Sequence, residues 1–294
     1  MFKKKIRIAV IGNCQARPIA QLLLLLNPNI EITTIAIVHL LKSEEKDEYW
    51  SLFDQADLII TQLIADNYPC SFVRTNFLKT HYKYKMISIV NLYYLGYSPD
   101  LMYIRDTAQG TLKSPLREYH NKTILEAFQS GLTIQEAIQN YHSYDYNKVR
   151  YKGVAEESLA ELKKRELQTD IRIVDFIEEK ISLERLFFVF NHPSISLIYE
   201  YVKRILRASD IPIVNDIDPR KTKDSLDSII VPINIYSAWD IDIKFKSSAQ
   251  FKGIDCVIRN KKILLTNHEK IYTIEEIADV FYRIYDLFLV KETV

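Results

Sequence analysis

A chain of 294 residues, 48% of them apolar, is long enough to bury a large core, and Lys+Arg 39 against Asp+Glu 38 leaves a net charge of +1. That balance gives no basic face for nucleic acid. The three cysteines, Cys14, Cys70 and Cys256, lie far apart with no C-x-x-C pair. The spacing speaks against a disulfide framework and a bound metal, and it fits a reducing cytoplasm.

The opening Met1-Phe-Lys-Lys-Lys precedes an apolar run that stops at Gly12-Asn13, too short for the apolar region of a signal peptide. Ile6 to Ile11 predicts a strand, and Pro18 to Leu26 predicts a helix. Leu22 to Leu26 sits between Gln21 and Asn27-Pro28, so it is a buried helix segment and not a transmembrane span. Gly12 permits a tight turn between strand and helix, which puts Cys14 at the carboxyl edge of a sheet. Free N–H groups and the partial positive charge of the helix start would favour a thiolate there, and would also hold an oxyanion or a phosphate. Two readings of Cys14 stand side by side: a nucleophile flanked by the amides of Asn13 and Gln15, or a small buried hydrophobe on an ordinary turn.

Ile30 to Val38 predicts a second strand, Ser43 to Phe53 a helix, and Ala56 to Gln62 a short strand of the type buried on both faces. A fourth strand over Lys85 to Tyr93 runs into Tyr94-Leu-Gly96-Tyr97-Ser-Pro99-Asp100, a loop suited to ligand contacts. Helices follow over Thr123 to Tyr141, Val154 to Glu166 and Ile173 to Glu179, forming a large helical insertion over about 105–182. Arg185 to Phe190 predicts a fifth strand, and Asn191-His192-Pro193-Ser194 opens a helix over Ile195 to Ala208. Beyond Ile211 extended pieces alternate with a terminal helix from Ile274 to Val290.

Strands separated by helices give an α/β fold: a doubly wound, mostly parallel five-stranded sheet with right-handed crossovers. The expected organisation is a catalytic core over 1–210 and an α+β extension over 211–294 packed on it. In such a sheet the ends of the first, third, fourth and fifth strands share one edge, which would bring Cys14, Gln62, Tyr94 to Asp100 and His192 to one crevice. His192 would take a proton from Cys14 or a substrate hydroxyl, and Asn191 would orient the imidazole. Asn13, Gln15 and Gln62 would hold an oxyanion. Each has a plainer reading: His192 and Ser194 as helix starters, Gln62 as a loop tie, Asp100 as a turn residue.

Gly12-Asn13-Cys14-Gln15, the Tyr94 to Asp100 loop, the Ser158 to Glu166 helix and Phe190-Asn191-His192-Pro193-Ser194 occur here in the order of the WcbI-like polysaccharide biosynthesis family, which the chain resembles. The resemblance implies an acetyltransferase of bacterial capsule assembly that uses coenzyme A. Cys14 and His192 fall on the family's motif positions. Gly12, Arg17 and Ser194 would serve the cofactor, and Tyr94, Tyr97 and Asp100 the substrate. The family's Tyr-His-Pro-Asp is Tyr97-Ser98-Pro99-Asp100 here. The layout also looks like flavodoxin-like SGNH hydrolases, but Cys14 replaces their serine and Val189 is no acid, so a carboxylate for His192 would come from Asp100 or Asp145.

The resulting expectation is an acetyl-CoA-dependent O-acetyltransferase with a small-molecule or oligosaccharide acceptor. An esterase acting on acylated carbohydrate, and a non-catalytic sugar- or nucleotide-binding module, are the alternatives. Assembly as a homo-oligomer stays open.

Overall fold

The computed structural model describes residues 4–106, 110–259 and 262–289. The chain forms two compact units, each gathered from three stretches of sequence. The first comprises Met1–Tyr93, Ala160–Lys180 and Pro193–Leu226; the second comprises Tyr94–Leu159, Ile181–His192 and Asp227–Val294. The sequence had suggested a single cut near residue 210.

The first unit is built on a parallel sheet of β1 (Ile6–Gly12), β2 (Ile30–Ile37), β3 (Leu58–Gln62) and β4 (Met86–Ile89), in the order β2-β1-β3-β4. Helices α1 (Ala16–Leu26), α2 (Lys46–Gln55) and α3 (Thr75–Tyr82) make the crossovers. All five residues of β3 are buried, as a central strand covered on both faces requires. Ala9, Ile11 and Ile59 meet Phe53, Phe72 and Leu78 in one apolar cluster, and α1 packs on the helix Ile195–Ala208. That helix spans the residues its sequence pattern predicts and carries seven buried residues on one stripe.

The expected fifth strand does not join this sheet. The residues Arg185 to Phe190 contribute only the short strand Phe187–Val189, paired with His192–Pro193, so the sheet among the described residues has four strands and not five. The reason lies on the outer edge of β4. The Asp170 carboxylate accepts from both the amide and the hydroxyl of Ser88, each at 2.6 Å, and the Asp170 amide donates to the Ser88 carbonyl at 2.9 Å. One turn on, the Tyr201 hydroxyl accepts from the Val90 amide at 2.7 Å. Asp170, through its main chain and carboxylate, and the Tyr201 hydroxyl thus occupy the groups that another strand would need.

The second unit is less regular. Leu101–Tyr103 pairs antiparallel with Tyr119–Asn121, and Arg105–Asp106 pairs with Gly110–Thr111. The supposed helical insertion therefore begins with β ladders before the helices Lys122–Gln129, Ile134–Tyr141 and Tyr144–Tyr151. The extended piece expected over Lys262 to Thr266 is the start of a longer strand, Lys262–Tyr272, which pairs with Phe251–Arg259. The terminal helix Ile274–Phe288 starts with a capping box between Thr273 and Glu276 and buries Ile277, Phe281, Ile284 and Tyr285. Among the described residues no helix is long and apolar enough to cross a membrane.

Candidate active site

In the first unit the turn after β1 is held by two glutamines. Gln62, the last residue of β3, accepts the Asn13 amide through Oε1 at 2.8 Å and donates through Nε2 to Gln15 Oε1 at 2.9 Å. Gln15 grips the main chain beyond β4: its Nε2 donates to the Leu92 carbonyl at 2.7 Å, and its Oε1 accepts the Leu92 amide at 3.0 Å. The Asn13 side chain closes the loop locally by accepting the Gln15 amide at 2.9 Å. Gln15 and Gln62 are 1% and 3% exposed, so both are committed to shaping the turn, where the sequence suggested oxyanion donors. Gly12 is required by this clamp, because a Cβ there would lie 2.7 Å from Gln62 Oε1.

Cys14 is half-buried on this frame, at the amino end of α1. Burial pushes its thiol pKa up, and this outweighs the lowering effects of its own amide, Arg17 and the Gln15 amide. The direction is opposite to the thiolate expected from the helix start, because loss of hydration costs the anion more than these amides return. Arg17 is exposed in the first turn of α1. Ser194 caps the helix Ile195–Ala208, accepting the Leu197 amide at 3.5 Å, and the Asp224 carboxylate accepts the Ile195 amide at 2.6 Å.

In the second unit Asn191 and His192 meet a tyrosine pair that the sequence reading did not single out. Tyr103 and Tyr119 are partners across the ladder, their rings stacked with centroids 5.2 Å apart, and Phe190 stands edge-on to both. The Tyr119 hydroxyl donates to Asn191 Oδ1 at 2.6 Å and lies 3.3 Å from His192 Nε2. Asn191 Nδ2 donates in turn to the Tyr103 hydroxyl at 3.2 Å. With the Tyr119 proton given to Asn191, its oxygen is placed to accept from His192 in the tautomer that carries the proton on Nε2. Asn191 thus reaches the imidazole through Tyr119. The one signal for Tyr119 in the sequence is the alternation Tyr119-His120-Asn121, in which neighbouring side chains of a strand point to opposite faces.

The loop residues proposed for substrate are buried. Tyr97 donates its hydroxyl to the main-chain carbonyls of Ile181 and Glu184. The rings of Tyr94 and Tyr97 meet edge-to-face with centroids 5.6 Å apart, and a Cβ at position 96 would lie 2.0 Å from the Tyr94 hydroxyl oxygen. The Asp100 carboxylate accepts from Asn121 Nδ2 at 2.8 Å, and Asn121 Oδ1 caps the helix Lys122–Gln129 by accepting the Ile124 amide. Burial lifts the Asp100 pKa to about 6. Its carboxylate steadies that cap and does not orient His192. Cys14, Asn13, Gln15, Gln62, Arg17 and Ser194 thus belong to the first unit, and Tyr94, Tyr97, Asp100, Asn191 and His192 to the second. Among the described residues no cluster of three His, Cys, Asp or Glu side chains is placed to hold a metal ion.

Comparison with known proteins adds three findings. No curated protein matches the sequence. A solved structure described as "Structural insights into WcbI, a novel polysaccharide biosynthesis enzyme", in a native form "without disulfide bond between COA and Cys14", shares the fold. Its TM-score is 0.73 at 18% identity, and the match covers 97% of this chain and 90% of that one. The family model "Polysaccharide biosynthesis enzyme WcbI" matches residues 7–213, well over half of the sequence. The chain therefore belongs to the WcbI family of polysaccharide biosynthesis enzymes.

Proposed function

We propose that this protein is an O-acetyltransferase that moves an acetyl group from acetyl-CoA to a sugar hydroxyl of a bacterial capsular polysaccharide or its precursor, with Cys14 marking the coenzyme A site and His192 as the base. The observation that carries the reading is the Cys14 turn: a half-exposed thiol at a helix start, on a loop immobilised by Gln15 and Gln62. The related WcbI structure, described with reference to coenzyme A and a cysteine of that protein, supports coenzyme A as the ligand. The residues present suit such a molecule. The exposed Arg17 in the first turn of α1 is fitted to phosphate groups, and the thiol to the thioester end.

Acetyl-CoA supplies an activated acetyl group when bound. His192 removes the proton from the acceptor hydroxyl as the oxygen attacks the thioester carbonyl, and it returns that proton to the departing sulfur. The side-chain amide of Asn13, through Nδ2, holds the carbonyl oxygen. Cys14, whose raised pKa keeps it a thiol at neutral pH, lines the thioester and is not itself acylated.

The test is intact-mass spectrometry and product analysis with acetyl-CoA and an acceptor oligosaccharide. The expected result is acetylated sugar, no acetyl adduct on the protein, activity retained in Cys14→Ser and lost in His192→Gln. Native protein should also melt at higher temperature with coenzyme A. An acetyl-enzyme trapped on Cys14 would replace direct transfer by a two-step route. Hydrolysis of small aryl esters without any stabilisation by coenzyme A would replace the transferase by an esterase.

A further inference from the structure

The second unit contains a cavity of about 310 Å³ in which neither Cys14 nor His192 takes part. Three elements form it: the Arg105–Asp106 and Gly110–Thr111 ladder, the start of Lys262–Tyr272, and the end of the helix Ile274–Phe288. Its volume is at the lower end of the range for small-molecule pockets, roughly 300–1,000 Å³. Leu112, Ile263 and Phe288 give it an apolar wall, and Leu264, also part of the lining, is 53% exposed. Its cations are Arg105, Lys113 and Lys262, all exposed, and among the described side chains that line it there is no carboxylate. This chain pairs many of its surface charges, for example Arg150 with Glu126 and Arg204 with both Asp175 and Glu200. Among the described side chains none of the three cavity cations has an acidic partner.

Three like charges around one small cavity repel one another and attract an anion. An apolar wall beside them, with a leucine left in water, attracts hydrocarbon. We propose that this cavity binds a phosphate-headed amphiphile, a phosphomonoester carried on a hydrocarbon chain. A phosphomonoester bears close to two negative charges at neutral pH and offers three acceptor oxygens, which suits several cations better than a single carboxylate would. The tail lies along Leu112, Ile263 and Phe288. The inference is independent of the acetyl-transfer reading, since it uses no residue of that site.

The probe is dodecyl phosphate, titrated calorimetrically into the full chain below its micellar concentration, with dodecyl maltoside and inorganic phosphate as comparators. Saturable one-to-one binding of dodecyl phosphate is expected, with neither comparator matching it. Lys113→Glu and Lys262→Glu should each weaken binding roughly tenfold. Leu264→Asp should weaken it as well, and Cys14→Ser should leave it unchanged. All of these positions are at least partly exposed, so melting curves should confirm that the variants fold, with Lys113→Gln as a milder substitute. Equal binding of dodecyl maltoside, equal binding of inorganic phosphate, or indifference to both charge reversals would each overturn the proposal.

Discussion

Gln62 Oε1 occupies the space that a side chain on residue 12 would need: it accepts the Asn13 amide at 2.8 Å, and a Cβ at Gly12 would lie 2.7 Å from it. The Gln62 tip is buried and tied at both ends, to Asn13 and to Gln15, so it cannot swing aside without breaking hydrogen bonds. Gly12→Ala should cost about 1–3 kcal/mol of stability by overpacking. In Gln62→Ala the obstacle is gone, and adding Gly12→Ala should then cost little. Urea denaturation of the two single variants and the double variant measures the coupling, and strict additivity would count against the clamp.

The thiol on this turn carries a second prediction. Because burial raises the Cys14 pKa, alkylation of Cys14 by iodoacetamide should titrate above the midpoint of an ordinary cysteine, about 8.5. Arg17 pulls in the other direction, so Arg17→Ala should move the midpoint further up. Peptide-level mass spectrometry separates Cys14 from Cys70 and Cys256. A midpoint below that of free cysteine would restore the thiolate and, with it, a nucleophilic Cys14.

Much of this turn was legible in the sequence, because it is local. An apolar β-branched run, one glycine and a leucine-rich stretch suffice for β1, the turn and α1, and the helix Ile195–Ala208 was as plain. The second unit was not. Its strands are short, and their pairing joins segments distant in sequence, as when Leu101–Tyr103 finds Tyr119–Asn121. The failure of the fifth strand depends on Asp170 and Tyr201 reaching the edge of β4, side chains that carry no strand signal of their own. Gln15 and Gln62 were expected as site residues, but the orientation of Gln15, and through it that of Gln62, is decided by the Leu92 main chain, which no motif announces.

Tyr119 offers a test of how His192 is held. If the Tyr119 oxygen accepts from Nε2–H, nitrogen-15 spectra of labelled protein should report the Nε2-protonated tautomer. Tyr119→Phe should let the two tautomers mix and lower kcat/KM by roughly fivefold to tenfold, the cost of about one hydrogen bond. Tyr103→Phe, one step further out, should have a smaller effect of the same kind. An unchanged tautomer in Tyr119→Phe would reduce the tyrosine to packing.

Two buried groups of the second unit should oppose each other as pH changes. Asp100 has its pKa raised by burial from 3.8 to about 6, so between pH 4 and 6 the folded chain holds a proton that the unfolded chain has lost, and this group makes stability fall as pH rises. His120, bonded to the Leu112 carbonyl and the Tyr285 hydroxyl, has its pKa lowered by burial from 6.5 to about 4. There the unfolded chain holds the extra proton, and stability rises with pH over nearly the same window. Each slope approaches about 1.4 kcal/mol per pH unit at most, so the pair largely cancels. Asp100→Asn keeps an oxygen for Asn121 and removes one arm, so its stability relative to the parent should climb from pH 4 to 6 and then level off. His120→Gln removes the other, and its relative stability should decline as pH rises through the same range. Urea midpoints measured at half-unit steps decide the matter: a flat difference for Asp100→Asn would mean that its carboxyl titrates alike in both states.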